Sequence, residues 1–317
     1  MAQYLIKRIA LAIVTLWILA TAVFMIVHVL PGNVGRHVLG PFASTVDVAT
    51  YNHEIGTDRP LINQYGSVMK SIATLDFGNS YQSKQSVNPK IKDALFRSAK
   101  LAGLALLLTV PISIMGGRFA AQRRNSLADR TIVTLGLATS SIPEFVTATV
   151  LAWIFCIEFK LFHVYANPPD GASIIGQFRY LFMPSLAMAI VYFGYIARMA
   201  RAGIAGALDA EFTRTAVMKG LPNGVVMRRH VMRNGMGPTI SVVGVSIGYL
   251  FGGIVGVERV FNYHGIGSTI IAAVDSHDVP MLQAAVLCVG IVYMLATLAA
   301  DLAIAFLNPR VVLAGNR

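Results

Sequence analysis

Charged residues are scarce in this sequence. Only 13% of its 317 residues are Asp, Glu, Lys or Arg, whereas 55% are hydrophobic, and the mean hydropathy is +0.63. Soluble domains carry about 25% charged residues, so this chain has more apolar surface than a soluble fold of its length needs. The composition excludes an ordinary soluble protein and predicts a protein embedded in a lipid bilayer.

Cysteine is scarce too, because Cys156 and Cys288 are the only two. Both fall inside apolar stretches, where a thiol behaves as a small hydrophobic group rather than as half of a disulfide. The seven histidines are scattered along the chain, and neither metal-ligand spacing nor a Ser, His and Asp arrangement is found. The sequence therefore predicts no disulfide framework, no metal site and no catalytic residues.

The phosphate-binding motif of many ATPases, G-x-x-x-x-G-K-[ST], is absent. None of the eight lysines follows a glycine that has a second glycine five residues before it. We therefore do not expect this chain to be an enzyme or to hold a cofactor of its own.

Six apolar stretches have the length of a membrane span, which takes about 20 residues. Five contain no charged residue, and the other is interrupted only by Glu144. The stretches are 9–35, 101–117, 131–157, 181–197, 234–257 and 279–300. They predict an all-α integral membrane protein with six transmembrane helices.

The basic residues predict the orientation. Two short loops on one side carry four and seven Lys or Arg, and the short loops on the other side carry two and one. Because short cytoplasmic loops retain basic residues, both termini are predicted to be cytoplasmic. The net charge of +11 then reflects these loops and their contacts with anionic lipid, not nucleic acid.

This topology divides the chain into four segments. Residues 1–32 form an N-terminal transmembrane helix, 33–96 a sizeable extracytoplasmic segment, 97–307 the remaining five helices and 308–317 a cytoplasmic tail. A secretory signal is the alternative for the first helix, but its apolar run continues to Leu30 without a small-residue cleavage pattern.

The cytoplasmic loop 198–238 has the pattern of helix, break and helix. Gly220 is a natural helix stop, and the Leu-Pro-Asn-Gly that begins at Leu221 is a strong turn signal. An exposed, rigid turn of this kind suits docking into another protein, whereas its arginines also suit anchoring at lipid headgroups. Charge alone does not decide between the two.

The residue order in this loop resembles the EAA loop of ABC importer permeases. Arg214-Thr-Ala-Val-Met-Lys-Gly-Leu221 is similar to the Arg-Thr-Ala-x-x-Lys-Gly-Leu of the dipeptide and oligopeptide branch. Glu144 departs from that branch, in which a neutral residue is more common after Ser-Ile-Pro. Further likeness lies in Asp58-Arg-Pro-Leu61, Asp76-Phe-Gly-Asn-Ser80, Ser141-Ile-Pro143, Arg229-His-Val-Met-Arg-Asn234, Pro238, Gly265-Ile-Gly267 and Asn308-Pro-Arg310.

The resemblance implies a type I ABC importer permease of the bacterial inner membrane that carries di- or oligopeptides. Its implied partners are a second homologous permease, two cytoplasmic ABC ATPases that hold ATP and Mg²⁺, and an extracytoplasmic substrate-binding protein. A nickel or glutathione importer of the same family and an ion-coupled secondary transporter are the alternatives. The implied ATPase-docking residues are Arg214, Thr215, Ala216, Lys219, Gly220, Leu221, Arg229 and His230.

Two further groups of residues are candidates inside the membrane. Gly244, Gly248, Gly252 and Gly256 form three overlapping G-x-x-x-G steps, which suit either a subunit interface or translocation path, or packing within the chain. Glu144 and Asp301 are the acids expected at or near hydrocarbon depth, where a charge costs roughly 2.5 kcal/mol or more. These acids are expected to face protein or water, either to contact substrate or to pair with arginine.

Overall fold

The computed structural model describes residues 2–29, 33–169 and 171–307. In these residues the fold is all-α and contains no β-strand, which confirms the predicted fold class. The predicted tail 308–317, with its Asn308-Pro-Arg310 motif, lies outside the described residues.

Fourteen α-helices and two π-helical stretches make up the described residues. The π-helical stretches, Ala152–Glu158 and Val226–Met232, each continue an α-helix without a break. In chain order the α-helices are α1 (Ala2–Val29), α2 (Val34–Leu39), α3 (Thr45–Ile55), α4 (Leu61–Thr74), α5 (Val87–Gln122), α6 (Leu127–Ser140), α7 (Glu144–Leu151), α8 (Ile174–Asp209), α9 (Glu211–Met218), α10 (Asn223–Val225), α11 (Arg233–Gly235), α12 (Gly237–Val260), α13 (Ile266–Asp275) and α14 (Val279–Leu307).

Five of the described helices, α1, α5, α8, α12 and α14, are long and apolar enough to cross a membrane. A sixth span exists if α6 and α7, with its π-helical continuation, are counted together, but their axes are bent by 98°. The sequence treated 131–157 as one apolar stretch, whereas the chain breaks between Ser140 and Glu144. Pro143 explains the break, because proline disfavours helical geometry in the residue before it and lacks a backbone N–H.

The chain separates into two compact units. Of the described residues, unit 1 contains 2–5, 99–169, 171–263 and 293–307, and unit 2 contains 6–29, 33–98 and 264–292. Both candidate sites described below lie in unit 1.

Unit 1 packs around α8, which contacts α6, α7, α11 and α12. Two pairs of glycines allow this close approach. A Cβ atom added to Gly194 would lie 1.9 Å from the carbonyl oxygen of Gly136, and one added to Gly203 would lie 2.1 Å from the carbonyl oxygen of Gly235. Backbones that meet this closely leave no room for a side chain, so all four positions are tied to glycine.

Unit 2 contains the predicted extracytoplasmic segment 33–96, which folds into α2, α3, α4, a loop and the beginning of α5, since α5 begins at Val87. Asp278, only 4% exposed, accepts hydrogen bonds from the Ser80 hydroxyl and from the Tyr81 N–H, the latter at 3.1 Å. The Tyr51 hydroxyl donates to the Tyr81 carbonyl at 2.6 Å. Burial raises the pKa of the Tyr81 phenol to about 12, so this side chain stays neutral at physiological pH.

Candidate functional site

Loop 198–238 contains a break that the sequence did not predict. Helix-forming residues run from Ile204 to Lys219, yet Ala210 is extended, with φ −68° and ψ 148°, and separates α8 from α9. The Thr213 hydroxyl donates to the Ala207 carbonyl at 2.7 Å, so a carbonyl in the last turn of α8 is satisfied from the next helix. The Ala207 carbonyl therefore keeps a hydrogen-bond donor although α8 ends nearby.

The predicted stop at Gly220 is present and has a defined geometry. Gly220 has φ +73°, its N–H donates to the Val217 carbonyl at 2.9 Å, and the Leu221 N–H donates to the Ala216 carbonyl at 3.3 Å. This pair of bonds is the Schellman motif, which ends a helix at a left-handed glycine. Local sequence is sufficient to stop α9 here.

The loop rests on a buried apolar cluster at the ends of α5 and α8. Ala216 is 3% exposed and Val231 is fully buried, and both pack in this cluster, with Leu221 against it. The other buried members are Ala121, Ala200, Ile204, Ala207, Val226 and Met227. Both α9 and the π-helical stretch Val226–Met232 pack on this cluster, which we call the buried base. The loop is therefore fixed to the helices that flank it.

Two arginines near the loop, Arg201 and Arg124, form ion pairs with aspartates of the same unit. The Arg201 guanidinium makes two hydrogen bonds to the Asp129 carboxylate, of which the Nη2–Oδ2 distance is 2.6 Å, and the Asp129 side chain is 4% exposed. Arg124 Nη1 donates to Asp209 Oδ2 at 2.6 Å. Charge counting missed both pairs, because the partners lie 72 and 85 residues apart.

The opposite side of α9 is open and mixes apolar and basic groups. Phe212 is 41%, Val217 53% and Met218 79% exposed. We call this surface the docking face, and it consists of Phe212, Arg214, Thr215, Val217, Met218 and Lys219, all exposed.

The predicted docking residues divide between this face and the base beneath it. Ala216 points into the buried cluster, and Leu221 is half-buried against it, so neither presents its side chain as the sequence suggested. Arg229 is exposed and His230 is half-buried, and both lie on the π-helical stretch Val226–Met232. Gly220 is exposed and has nothing within 4 Å of its Cβ position.

A second candidate site is a cavity of 460 Å³ beside the break that precedes α7. Glu144 is the first residue of α7, and its Oε1 accepts a hydrogen bond from the Tyr192 hydroxyl at 3.2 Å. The cavity is lined by Ser140, Glu144, Val191, Tyr192, Tyr195, Tyr249, Gly252 and Gly253. Spacing alone could not have predicted this group, because its members come from α6, α7, α8 and α12.

Three of the four glycines of the G-x-x-x-G strip pack inside the chain. A Cβ atom at Gly244 would lie 2.3 Å from Ala300 Cβ, one at Gly248 would lie 1.7 Å from the Tyr293 ring, and one at Gly256 would lie 2.9 Å from Phe145 Cβ. Gly252 has open space and lines the cavity. The strip thus serves internal packing at three positions and the cavity at one.

Asp301 is half-buried on α14 and does not line the cavity. Within the residues that the structure describes, no group of three or more His, Cys, Asp and Glu side chains could hold a metal ion.

Two family models match the chain over most of its length. The model of the binding-protein-dependent transport system inner membrane component matches residues 113–313. The chain belongs to this family. The model of the N-terminal part of such membrane components matches residues 1–102. The chain is therefore a multi-pass membrane component, and the predicted ABC permease family is confirmed.

Individual relatives of this permease cover nearly its whole length. The dipeptide transport system permease protein DppB of Alkalihalophilus pseudofirmus is 30% identical over 331 residues, with 98% of this chain and 99% of the relative covered. The glutathione transport system permease proteins GsiC of Escherichia coli K12 and of Salmonella choleraesuis are 30% and 31% identical, each over 311 residues and with the same coverage.

Proposed function

We propose that this chain is the membrane-spanning subunit of an ATP-driven importer of short peptides, and that its docking face binds separate ATPase subunits. Family membership and the dipeptide permease relative support the transport of peptides. Glutathione is the second candidate substrate, because the glutathione permease relatives are as similar to this chain as the dipeptide permease is.

The docking face is the observation that carries the coupling role. Apolar side chains such as Phe212 and Met218 are exposed in a loop that its basic residues assign to the cytoplasm. Short helices with such anchors bind grooves on partner proteins, where a few apolar residues supply most of the affinity. Arg214 and Lys219 flank these anchors and add charge that selects a complementary partner.

The buried base explains how docking could move the membrane helices. Ala216 and Val231 pack in one cluster with residues of α5 and α8, and Gly203 and Gly235 bring two backbones into direct contact. A force on α9 therefore reaches these helices through packed atoms rather than through a flexible linker. Closure of the ATPases would be transmitted as a rigid-body movement.

The remaining partners follow from the same proposal. A second homologous permease would complete the pathway, an extracytoplasmic binding protein would deliver substrate, and the ATPases would hold ATP and Mg²⁺. Both termini and loop 198–238 would lie in the cytoplasm, and the exposed Arg228, Arg229 and Arg233 would share ATPase and lipid headgroup contacts.

Docking can be tested by truncating the two largest apolar anchors. The double variant Phe212→Ala and Met218→Ala, expressed with the second permease and the ATPases, should lower recovery of the ATPases with this subunit by at least about tenfold. ATP-dependent peptide uptake should fall with it. Leu127→Ala is the matched control, because Leu127 is 82% exposed and lies outside the loop. Unchanged recovery and uptake in the double variant would reject the coupling role.

The orientation has an independent test with introduced cysteines. In a chain that carries Cys156→Ala and Cys288→Ala, Phe42→Cys and Met218→Cys place thiols at sites that are 99% and 79% exposed. A membrane-impermeant maleimide should label position 42 in intact cells and position 218 only after permeabilisation. The reverse pattern would overturn the topology.

A further inference from the structure

The cavity beside α7 holds the Glu144 carboxylate, which has no ion-pair partner among the described residues. Tyr192 donates to Glu144 Oε1, and in the described residues the second carboxylate oxygen, Oε2, has neither a hydrogen bond nor an ion pair. In the part of the chain that the structure describes, no lysine or arginine lines the cavity. An acid inside a membrane protein usually faces a partner charge or a polar pathway, so this one is available to a cation that enters the cavity.

The surrounding backbone makes room for this carboxylate. A Cβ atom at Gly253 would lie 2.8 Å from Glu144 Oε1, so any side chain there would push the acid away. Gly252 also lines the cavity and has nothing within 4 Å of its Cβ position. The two neighbouring glycines of α12 thus leave space for the carboxylate and for a ligand beside it.

Aromatic rings complete the site. Tyr192, Tyr195 and Tyr249 line the same cavity as Glu144, and Tyr249 is 58% exposed. The faces of aromatic rings attract organic cations through their quadrupole, and the attraction grows when water is excluded. The Arg198 guanidinium lies over the Tyr195 ring, 5.8 Å from its centroid, so Tyr192 and Tyr249 are the lining rings that remain for a ligand. One carboxylate with these two phenol rings matches an ammonium group.

We propose that this cavity is a subsite for the α-ammonium group of a peptide in transit. The proposal rests on the peptide-importer function above and adds the contact that the permease itself makes with its substrate. The volume of 460 Å³ lies within the range of about 300 to 1,000 Å³ that small-molecule sites occupy. Glu144 supplies a charge-assisted hydrogen bond, and Tyr192 and Tyr249 supply aromatic rings.

Other cations fit this arrangement less well. Ca²⁺ takes about six to eight oxygen ligands and Mg²⁺ needs an octahedral set, whereas Glu144 is the one carboxylate among the described residues that line the cavity. A site for protons alone would give no reason for the rings of Tyr192 and Tyr249 beside the acid. The combination favours an organic ammonium ion.

The test compares two probes that differ only in the amino group. The complete complex of both permeases and the ATPases is placed in lipid nanodiscs without the binding protein, and binding of tritiated alanyl-phenylalanine and of its N-acetyl derivative is measured. The unmodified complex should bind the free dipeptide at least about tenfold more tightly than the acetylated one. Glu144→Gln should remove this difference by weakening only the free dipeptide.

Tyr249 separates the aromatic contribution from the carboxylate. Tyr249→Leu should weaken binding of the free dipeptide by about threefold or more, whereas Tyr249→Phe, which keeps the ring, should bind as the unmodified complex does. Because Tyr249 is 58% exposed, these variants test the site even if Glu144→Gln fails to fold.

The possible failures are distinguishable. Equal binding of both probes by the unmodified complex, no saturable binding at all, or an equal loss for both probes in Glu144→Gln would each overturn the subsite. None of these results affects ATPase recovery with the permease, which measures the proposed coupling function separately. If the unmodified permease does not recover the ATPases, the proposed coupling function is rejected instead.

Discussion

Two of the helix breaks in unit 1 are stabilised in different ways. At the break before α7, the flanking helices are fixed by tertiary contacts, including the Gly136–Gly194 approach and the packing of Gly256 against Phe145. At the break after α9, two backbone hydrogen bonds around Gly220 are sufficient, and Gly220 has nothing within 4 Å of its Cβ position. We call them the packed break and the local break.

The difference separates positions that support the fold from positions that set a local shape. A change at the packed break must move whole helices, because the atoms in contact are backbone or Cβ atoms that cannot rotate away. A change at the local break strains one residue and leaves the buried base beneath it intact. The proposed docking function can therefore be perturbed with little loss of stability, whereas the membrane fold cannot.

The largest effect is expected for Gly194→Ala. Its new methyl group would lie 1.9 Å from the Gly136 carbonyl oxygen, so α6 and α8 must separate. Overpacking typically costs about 1–3 kcal/mol, and this contact, being backbone on both sides, should reach or exceed about 3 kcal/mol. The thermal unfolding midpoint and the yield of folded protein should both fall sharply.

Gly206→Ala provides the matched control on the same helix. Gly206 has nothing within 4 Å of its Cβ position, and alanine is favoured over glycine in a helix by about 1 kcal/mol. Its midpoint should stay the same or rise. Equal destabilisation by both variants would mean that α6 and α8 do not meet as closely as the glycine pair indicates.

The second largest loss of stability is expected for Gly256→Ala, at the contact between α12 and α7. Gly256→Ala would place a methyl group 2.9 Å from Phe145 Cβ, at the second residue of α7. Because one helix can shift by a few tenths of an ångström, a loss of about 1–2 kcal/mol is expected, within the usual range for overpacking. The midpoint should fall by less than in Gly194→Ala.

Gly252→Ala tests whether this loss comes from contact with α7. Gly252 lies one helical turn before Gly256 but has open space, so its midpoint should not fall. A loss in Gly252→Ala equal to that in Gly256→Ala would assign the effect to α12 itself and remove the packed break from the explanation.

The sequence predicted the membrane fold well and the packed break poorly, for one physical reason. Spans follow from the length of apolar runs, because lipid leaves few alternatives to a helix. The length of an apolar run says nothing about the direction of the backbone. The sequence analysis therefore treated 131–157 as one stretch, although Pro143 marks the break. The 98° bend depends on contacts with α8 and α12 that no local pattern contains.

The two candidate sites differ in the same way. The turn at Gly220 is encoded in consecutive residues, and the sequence located it. The break at Ala210 has no such signal, because alanine favours helix, and it depends on the Thr213 hydroxyl that satisfies the Ala207 carbonyl. The cavity joins Glu144 to Tyr249, 105 positions apart in the sequence, and only the folded chain brings them together.

The smallest loss of stability is expected at Gly220. Gly220→Ala keeps open space around the new methyl group but forces alanine to adopt φ +73°, a left-handed conformation that strains a residue with a Cβ atom. The strain should act locally, so amide exchange of residues 216–221 should quicken while the midpoint of the whole chain changes little. ATP-dependent uptake should fall more than stability does, because α9 loses its defined end.

Gly220→Asn decides whether conformation alone is responsible. Asparagine has a larger side chain than alanine but adopts the left-handed region more readily. If strain is the cause, the asparagine variant should show slower exchange and higher uptake than the alanine variant despite its size. If the asparagine variant is the weaker of the two, a partner must contact Gly220 closely, and the local break is then held by the docked ATPase as well as by its own hydrogen bonds.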